Sequence, residues 1–295
     1  MKDTINRNPK IAKLYEGVPE ESLNRLVAFR ERFPYQTISI QGQSWNYIDT
    51  HQGEAVLFLF AGASAIAEVS FQSIEHFAQR YRVIAPDYPP IRTLEDLFAG
   101  VMLLLDQLGI ADFFLMGGSY GGWMAQSFVR SHPERIGMLV ITAVGPPNPE
   151  NSQQIAKMLP WFRFAPTFLL KALLNRAFGS LESTNGDDPD MSLLWALAKE
   201  AVNHRMSRAD LFALMERLLD QTDNYEFRPD DLNDWPGSML LVFGSEDPAT
   251  PQEKRDAMVE LYPQAELKVF EGGEHGIAIT HQREYFAVID EFLAR

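Results

Sequence analysis

The run Gly117-Gly118-Ser119-Tyr120-Gly121-Gly122 sets a serine in a G-x-S-x-G turn. The apolar stretch Asp112-Phe113-Phe114-Leu115-Met116 leads into it, and the helix-like stretch from Trp123 to Arg130 leaves it. A strand, a tight glycine turn, a serine and a helix together make a nucleophile elbow. Such a turn forces Ser119 into a strained backbone conformation. Gly117 and Gly121 are required because side chains there would meet the flanking strand and helix. The hydroxyl then stands at a helix N-terminus, where the peptide dipoles favour developing negative charge.

A serine hydroxyl needs a base, and the base needs a group to orient it. The apolar run Met239-Leu240-Leu241-Val242-Phe243 ends in Gly244-Ser245-Glu246-Asp247-Pro248, a strand exit that carries acids. The later run Glu266-Leu267-Lys268-Val269-Phe270 ends in Glu271-Gly272-Gly273-Glu274-His275-Gly276, which holds a histidine among glycines. Serine, acid and histidine follow in the order of one known triad arrangement. Ser119, Asp247 and His275 are therefore the expected nucleophile, orienting acid and base. Glu246 is the alternative acid, one residue out of register.

Other chemistries lack their residues. There is no cysteine, which removes disulfides, thiol catalysis and thiolate metal sites. His51, His76, His132, His204 and His281 show no metal-ligand spacing, and no H-E-x-x-H occurs. No metal and no cofactor are expected. The glycines near Ser119 lack the Lys-Ser/Thr of a phosphate loop. A net charge of -14 argues against nucleic acid and anionic membranes as partners. The apolar stretch from Ala55 to Ala67 is shorter than the roughly 20 residues that span a bilayer. Met1 to Asn8 has no apolar run of the kind found in a signal peptide. A cytoplasmic protein without membrane insertion is expected.

These residues need a frame. Pro19 to Phe33 reads as an amphipathic helix, followed by short strands at Thr37–Ile40 and Trp45–Ile48. Apolar runs then alternate with helical patterns: Ala55–Phe60, Arg82–Ile84, Asp112–Met116, Gly137–Thr142, and later Met239–Phe243 and Glu266–Phe270. Uninterrupted apolar strands separated by helices imply a parallel sheet buried on both faces. The fold class is α/β, a mostly parallel eight-stranded sheet with helices on both faces. Between Thr142 and Met239 the alternation stops and only helical patterns remain. Residues 1–145 and 237–295 read as two parts of one core, and 146–236 as an inserted helical cap. Within the insertion, Gly179 is placed to end a helix from Pro166, Asp190 to cap the next, and Ser207-Arg208-Ala209-Asp210 to open a third through a capping box. Its entry is aromatic: Trp161, Phe162, Phe164 and Phe168 are either helix-packing core or the apolar wall of a substrate pocket facing Ser119.

On these motifs the chain resembles the α/β-hydrolase superfamily, from the strand near Thr37 to the last helix. Tyr81-Arg82-Val83-Ile84-Ala85-Pro86-Asp87 resembles its fourth strand and exit, and Ser131-His132-Pro133-Glu134-Arg135-Ile136 the turn after the nucleophile helix. Many members carry His-Gly after the third strand, where this chain has Ala61-Gly62-Ala63. The short loop at Tyr88-Pro89-Pro90-Ile91 and the stretch Ser44 to Asp49 resemble the maspardin-like branch. Eukaryotic members of that branch lack a histidine at the position of His275. The resemblance implies an oxyanion hole made by the backbone N–H groups of Ala63 and Tyr120. It implies a serine hydrolase that cleaves a small to medium carboxylic ester with an apolar part. Two other readings stay open: C–C bond hydrolysis or cofactor-free perhydrolysis with the same triad, and a non-catalytic maspardin-like binding protein.

Overall fold

The computed structural model describes residues 9–181 and 189–295. The Met1–Asn8 stretch read for a signal peptide lies outside them, as do residues 182–188 of the insertion. The described residues open with a short helix α1 (Pro9–Ala12) and then α2 (Glu20–Arg32). An antiparallel pair β1 (Gln36–Ile40) and β2 (Gln43–Asp49) follows, then β3 (Val56–Phe60), α3 (Phe71–Phe77) and β4 (Arg82–Pro86). Next come α4 (Leu94–Gln107), β5 (Phe113–Gly118), α5 (Tyr120–Ser131) and β6 (Ile136–Thr142).

The eight strands lie in the order β1-β2-β4-β3-β5-β6-β7-β8, where β7 is Ser238–Gly244 and β8 is Glu266–Phe270. The β1–β2 and β2–β4 pairs are antiparallel, and every later pair is parallel. Strand β3 shows why the apolar runs are continuous. Its residues Val56–Phe60 are buried throughout, with Phe58 and Phe60 in one core and Leu57 and Leu59 in the other. Successive side chains point to opposite faces, so a sheet covered on both sides needs apolar residues at every position. One face carries α4, α5 and the later α10 (Gln252–Leu261). The other carries α2, α3 and the C-terminal α12 (Gln282–Leu293), which follows a single-turn α11 (Ile277–Thr280).

Between β6 and β7 the described residues form helices: α6 (Pro149–Phe162), α7 (Thr167–Gly179), α8 (Pro189–Glu200) and α9 (Arg208–Asn224). A π-helical turn, Ala201–Arg205, joins α8 to α9. The Ser207–Asp210 capping box is present at the start of α9. Two expected caps differ. Gly179 is the last helical residue of α7, and Ser180 is the cap. Asp190 sits inside the first turn of α8, where its carboxylate accepts from Ser22 Oγ and Arg25.

Candidate active site

The β5–α5 turn has the strain the glycine spacing demands. Ser119 has φ 52° and ψ -124°, a region that L-residues rarely occupy. Its own N–H donates to Thr142 O at 3.0 Å, and its carbonyl accepts from Gly122 and Trp123. A Cβ on Gly117 would lie 2.3 Å from Gly121 O, and one on Gly121 would lie 2.5 Å from Phe60 O. The turn thus closes by letting α5 run backbone against backbone into β3 and β5. Gly121→Ala should destabilise the fold by about 3 kcal/mol or more, since the obstructing atoms are main chain and cannot rotate away. Thermal melting checks this; an unchanged melting point would mean that α5 can move away from β3 at little cost.

Three loops at the carboxyl ends of the strands meet above this turn. Ser119 Oγ and His275 Nε2 are 3.1 Å apart, and His275 Nδ1 lies 2.9 Å from Asp247 Oδ2. Asp247 is 2% exposed, whereas Glu246 points to solvent. Two groups not singled out from the sequence complete the acid. Thr250 Oγ1 donates to Asp247 Oδ2 at 2.8 Å, and the Ala249 N–H donates to Oδ1 at 2.8 Å. Burial works against the Asp247 charge, but the hydrogen bond and charge of His275, the Thr250 hydroxyl and the Ala249 N–H outweigh it and hold the carboxyl below its usual range. An ionised carboxylate beside Nδ1 fixes the proton there and leaves Nε2 to accept from the serine.

Tyr120 opens α5, so its N–H has no partner within the helix. Ala63 lies in the β3 exit loop, and its neighbour Gly62 lines the cavity at Ser119. That loop is bracketed by Tyr88. The Tyr88 hydroxyl donates to Ala61 O at 2.7 Å and its N–H to Ala65 O at 2.9 Å. The structure also supplies a group that sequence reading missed. Arg217, on α9, is 1% exposed and sits over the rings of both Tyr88 and Tyr120. Its Nε donates to the Tyr120 hydroxyl at 2.8 Å, and its NH1 donates to the carbonyls of Pro89 and Ile91. One guanidinium from the insertion thereby ties Tyr120, the residue after the serine, to the loop that follows β4.

The cavity at Ser119 measures ≈ 200 Å³. Leu59, Val69, Met116, Leu194, Ile279 and Tyr285 supply its apolar wall. Ser70, Gln72, Ser73 and Thr142 supply polar groups, and no Lys, Arg, Asp or Glu is among the described lining residues. Gln72 is 5% exposed, and its Nε2 has no hydrogen-bond partner among the described residues.

The aromatic entry of the insertion does not line this cavity. Trp161, Phe164 and Phe168 are 77%, 88% and 74% exposed, and Phe162 packs against the core. The correction has a simple cause. Leu194 of α8, not α6 or α7, reaches the serine, so the α6–α7 turn faces outward. Asp87, read as a strand-exit residue, is bonded away from the serine. It accepts from the Tyr35 hydroxyl, the Ala67 N–H and Arg205. Burial pushes its carboxyl up to about 6 against the pull of Arg205. Trp123 is half-buried and donates to Gly145 O. Among the described residues no cluster of His, Asp or Glu could hold a metal.

Comparison with known proteins places the chain in a family. The profile of the Alpha/beta hydrolase family matches residues 57–288. The 2-hydroxy-6-oxononadienedioate/2-hydroxy-6-oxononatrienedioate hydrolase of Burkholderia vietnamiensis is 28% identical over 272 residues, which covers 85% of this chain and 91% of that protein. Maspardin of Mus musculus is 26% identical over 249 residues, 80% of this chain and 76% of that protein. Among solved structures, the 2-hydroxy-6-oxo-6-phenylhexa-2,4-dienoate hydrolase of a Rhodococcus species superposes with a TM-score of 0.67 at 18% identity, covering 89% of this chain and 99% of that one. With the elbow, the sheet order and a profile that spans most of its length, the chain belongs to the alpha/beta hydrolase family.

Proposed function

We propose that this hydrolase cleaves a small, uncharged carboxylic ester through an acyl-enzyme. The observation that carries the proposal is the hydrogen-bonded row Ser119–His275–Asp247 on a strained elbow. Ser119 Oγ attacks the acyl carbon as His275 Nε2 takes its proton. The Tyr120 and Ala63 N–H groups hold the tetrahedral oxyanion. His275 then protonates the leaving alkoxide. Water attacks the acyl-enzyme, gives its proton to the same nitrogen, and frees the acid. Asp247 holds the imidazole in the needed tautomer and offsets its positive charge. Within the insertion, α8 covers the serine, through Leu194.

Hydrolysis of a carbon–carbon bond by the same residues is the second reading. It is favoured by the Burkholderia relative, whose substrate is a dioate without an ester. A dioate carries two carboxylates, and burying one unpaired is costly. The described walls of the Ser119 cavity hold no Lys or Arg, and beyond the catalytic His275 their polar side chains are hydroxyls and the Gln72 amide. That amide suits a neutral carbonyl or ether oxygen. A maspardin-like binding protein, the third reading, needs neither an ionised Asp247 nor a histidine beside the serine. The absence of cysteine fits a cytoplasmic location.

The discriminating experiment pairs fluorophosphonate labelling with a p-nitrophenyl ester series and a dienedioate. Labelling of Ser119 is expected, with fastest turnover for acyl chains of roughly two to four carbons, because ≈ 200 Å³ lies below the usual ligand-site range of about 300–1,000 Å³. Faster turnover of the dioate than of any ester would overturn the ester reading. Absence of both labelling and turnover would leave the binding protein.

A further inference from the structure

The turn between α6 and α7 carries apolar side chains that no described residue covers. Besides Trp161, Phe164 and Phe168, the residues Met158, Leu169 and Leu173 are each more than two-fifths exposed. Met158 and Trp161 share one face of α6, three residues apart, and Leu169 and Leu173 share one face of α7, four apart. Single exposed hydrophobics are ordinary, but six on one helical hairpin mark a contact surface.

The charge around this turn is opposite to that of the rest of the chain. From Asn151 to Leu181 there are four basic residues, Lys157, Arg163, Lys171 and Arg176, and no Asp or Glu, in a protein of net charge -14. Lys157, Arg163 and Arg176 are exposed, while Lys171 donates to Asn203 O. Arg92, Arg163 and Arg208 also border a surface hollow of ≈ 570 Å³ that contains Phe212 and one acid, Glu216, paired with Arg92 at 3.1 Å. Arg208 donates to the carbonyls of Phe162, Arg163 and Ala165, which fixes the turn in this outward pose.

We propose that the α6–α7 turn docks on an anionic lipid surface. Trp161, Phe164 and Phe168 enter the boundary between headgroups and acyl chains. Lys157, Arg163 and Arg176 meet the headgroup phosphates, extending their apolar stems along the same boundary. Charge selects the occupant. A symmetric contact with a second copy would set these three cations against their own images. A lipid surface offers an apolar interior behind a negative rim, and it repels the acidic remainder of the protein, so that the basic turn leads. Docking is peripheral, since no described helix is long and apolar enough to cross a membrane. The net charge of -14 is unevenly distributed, so repulsion of the whole chain need not extend to this basic turn. The inference does not depend on the ester reading.

The test uses the intact protein with vesicles of phosphatidylcholine alone and of phosphatidylcholine mixed with phosphatidylglycerol. Cosedimentation is expected with the mixed vesicles only, weakening at high salt. Loss of each of Lys157, Arg163 and Arg176 should lower the partition constant by roughly fivefold, the equivalent of about 1 kcal/mol per basic residue. The triple variant Trp161→Ser, Phe164→Ser, Phe168→Ser should lose binding while keeping the wild-type circular dichroism melting curve, because the three side chains are exposed. Binding of the mixed vesicles should blue-shift the tryptophan emission, and Trp161→Phe should remove that shift. The proposal is overturned if wild type fails to bind mixed vesicles at low salt, if it binds both vesicles equally, or if the triple variant binds as well as wild type. Analytical ultracentrifugation showing a wild-type dimer that the triple variant dissociates would also overturn it, and would assign the surface to a second copy.

Discussion

Replacing Ser119 by alanine should leave the fold intact and lower ester turnover by roughly 10⁴–10⁶-fold, the range expected when a triad nucleophile is lost. The fold should survive because the hydroxyl is not a structural bond. Its only side-chain partner in the site is His275, and the turn is held by main-chain bonds from the Ser119 N–H and carbonyl. Alanine also keeps the Cβ that the strained turn already accommodates. Circular dichroism melting beside initial rates on a short p-nitrophenyl ester separates the two effects. Residual activity should not reach zero, because the oxyanion donors and the cavity still bind the transition state. Turnover equal to wild type would remove Ser119 from the chemistry and favour the binding-protein reading.

The second large effect belongs to Asp247. Asp247→Asn should reduce turnover by about 10⁴-fold, while Glu246→Gln should change it little. An amide at 247 can present its NH₂ to Nδ1, which moves the imidazole proton to Nε2, the nitrogen that must accept from the serine. The carboxylate has no spare capacity to compensate, since Thr250 and Ala249 already occupy its oxygens and would hold the asparagine in place. Glu246 is exposed and contributes to the site only through its backbone N–H, which donates to Gly273 O. Steady-state rates for the two variants decide the matter. A dead Glu246→Gln beside an active Asp247→Asn would contradict the assignment drawn from the geometry.

What the sequence disclosed and what it hid follow from the range of the interactions. The elbow is legible because its demands are local: a glycine on either side of a strained serine, between an apolar run and a helix. The sheet is legible because strands such as Val56–Phe60 must be apolar at every position to be covered twice. Asp247 and Glu246 are neighbours of like chemistry, and only the burial of one and the exposure of the other separates them. Arg217 was invisible for a different reason. It reaches Tyr120 across 97 residues, and composition rules place arginine on the surface. The aromatics from Trp161 to Phe168 mark the opposite failure. Apolar spacing reports that a helix has a greasy side but not what that side meets, so it reads the same for a core wall, a pocket wall and an uncovered face.

The guanidinium of Arg217 ties the insertion to the elbow so closely that the two form a single unit of inheritance. Excising residues 146–236 would leave the Tyr120 hydroxyl and the Pro89 and Ile91 carbonyls without their donor, and would strip the Tyr88 and Tyr120 rings of the cation they pack against. A foreign insertion grafted between β6 and β7 would have to bring an arginine to the same point in space. Chimaeras that exchange this segment between relatives should therefore survive only when the arginine and the two tyrosines travel together, and selection for new substrates is channelled into the walls contributed by α8 and the loop before α3.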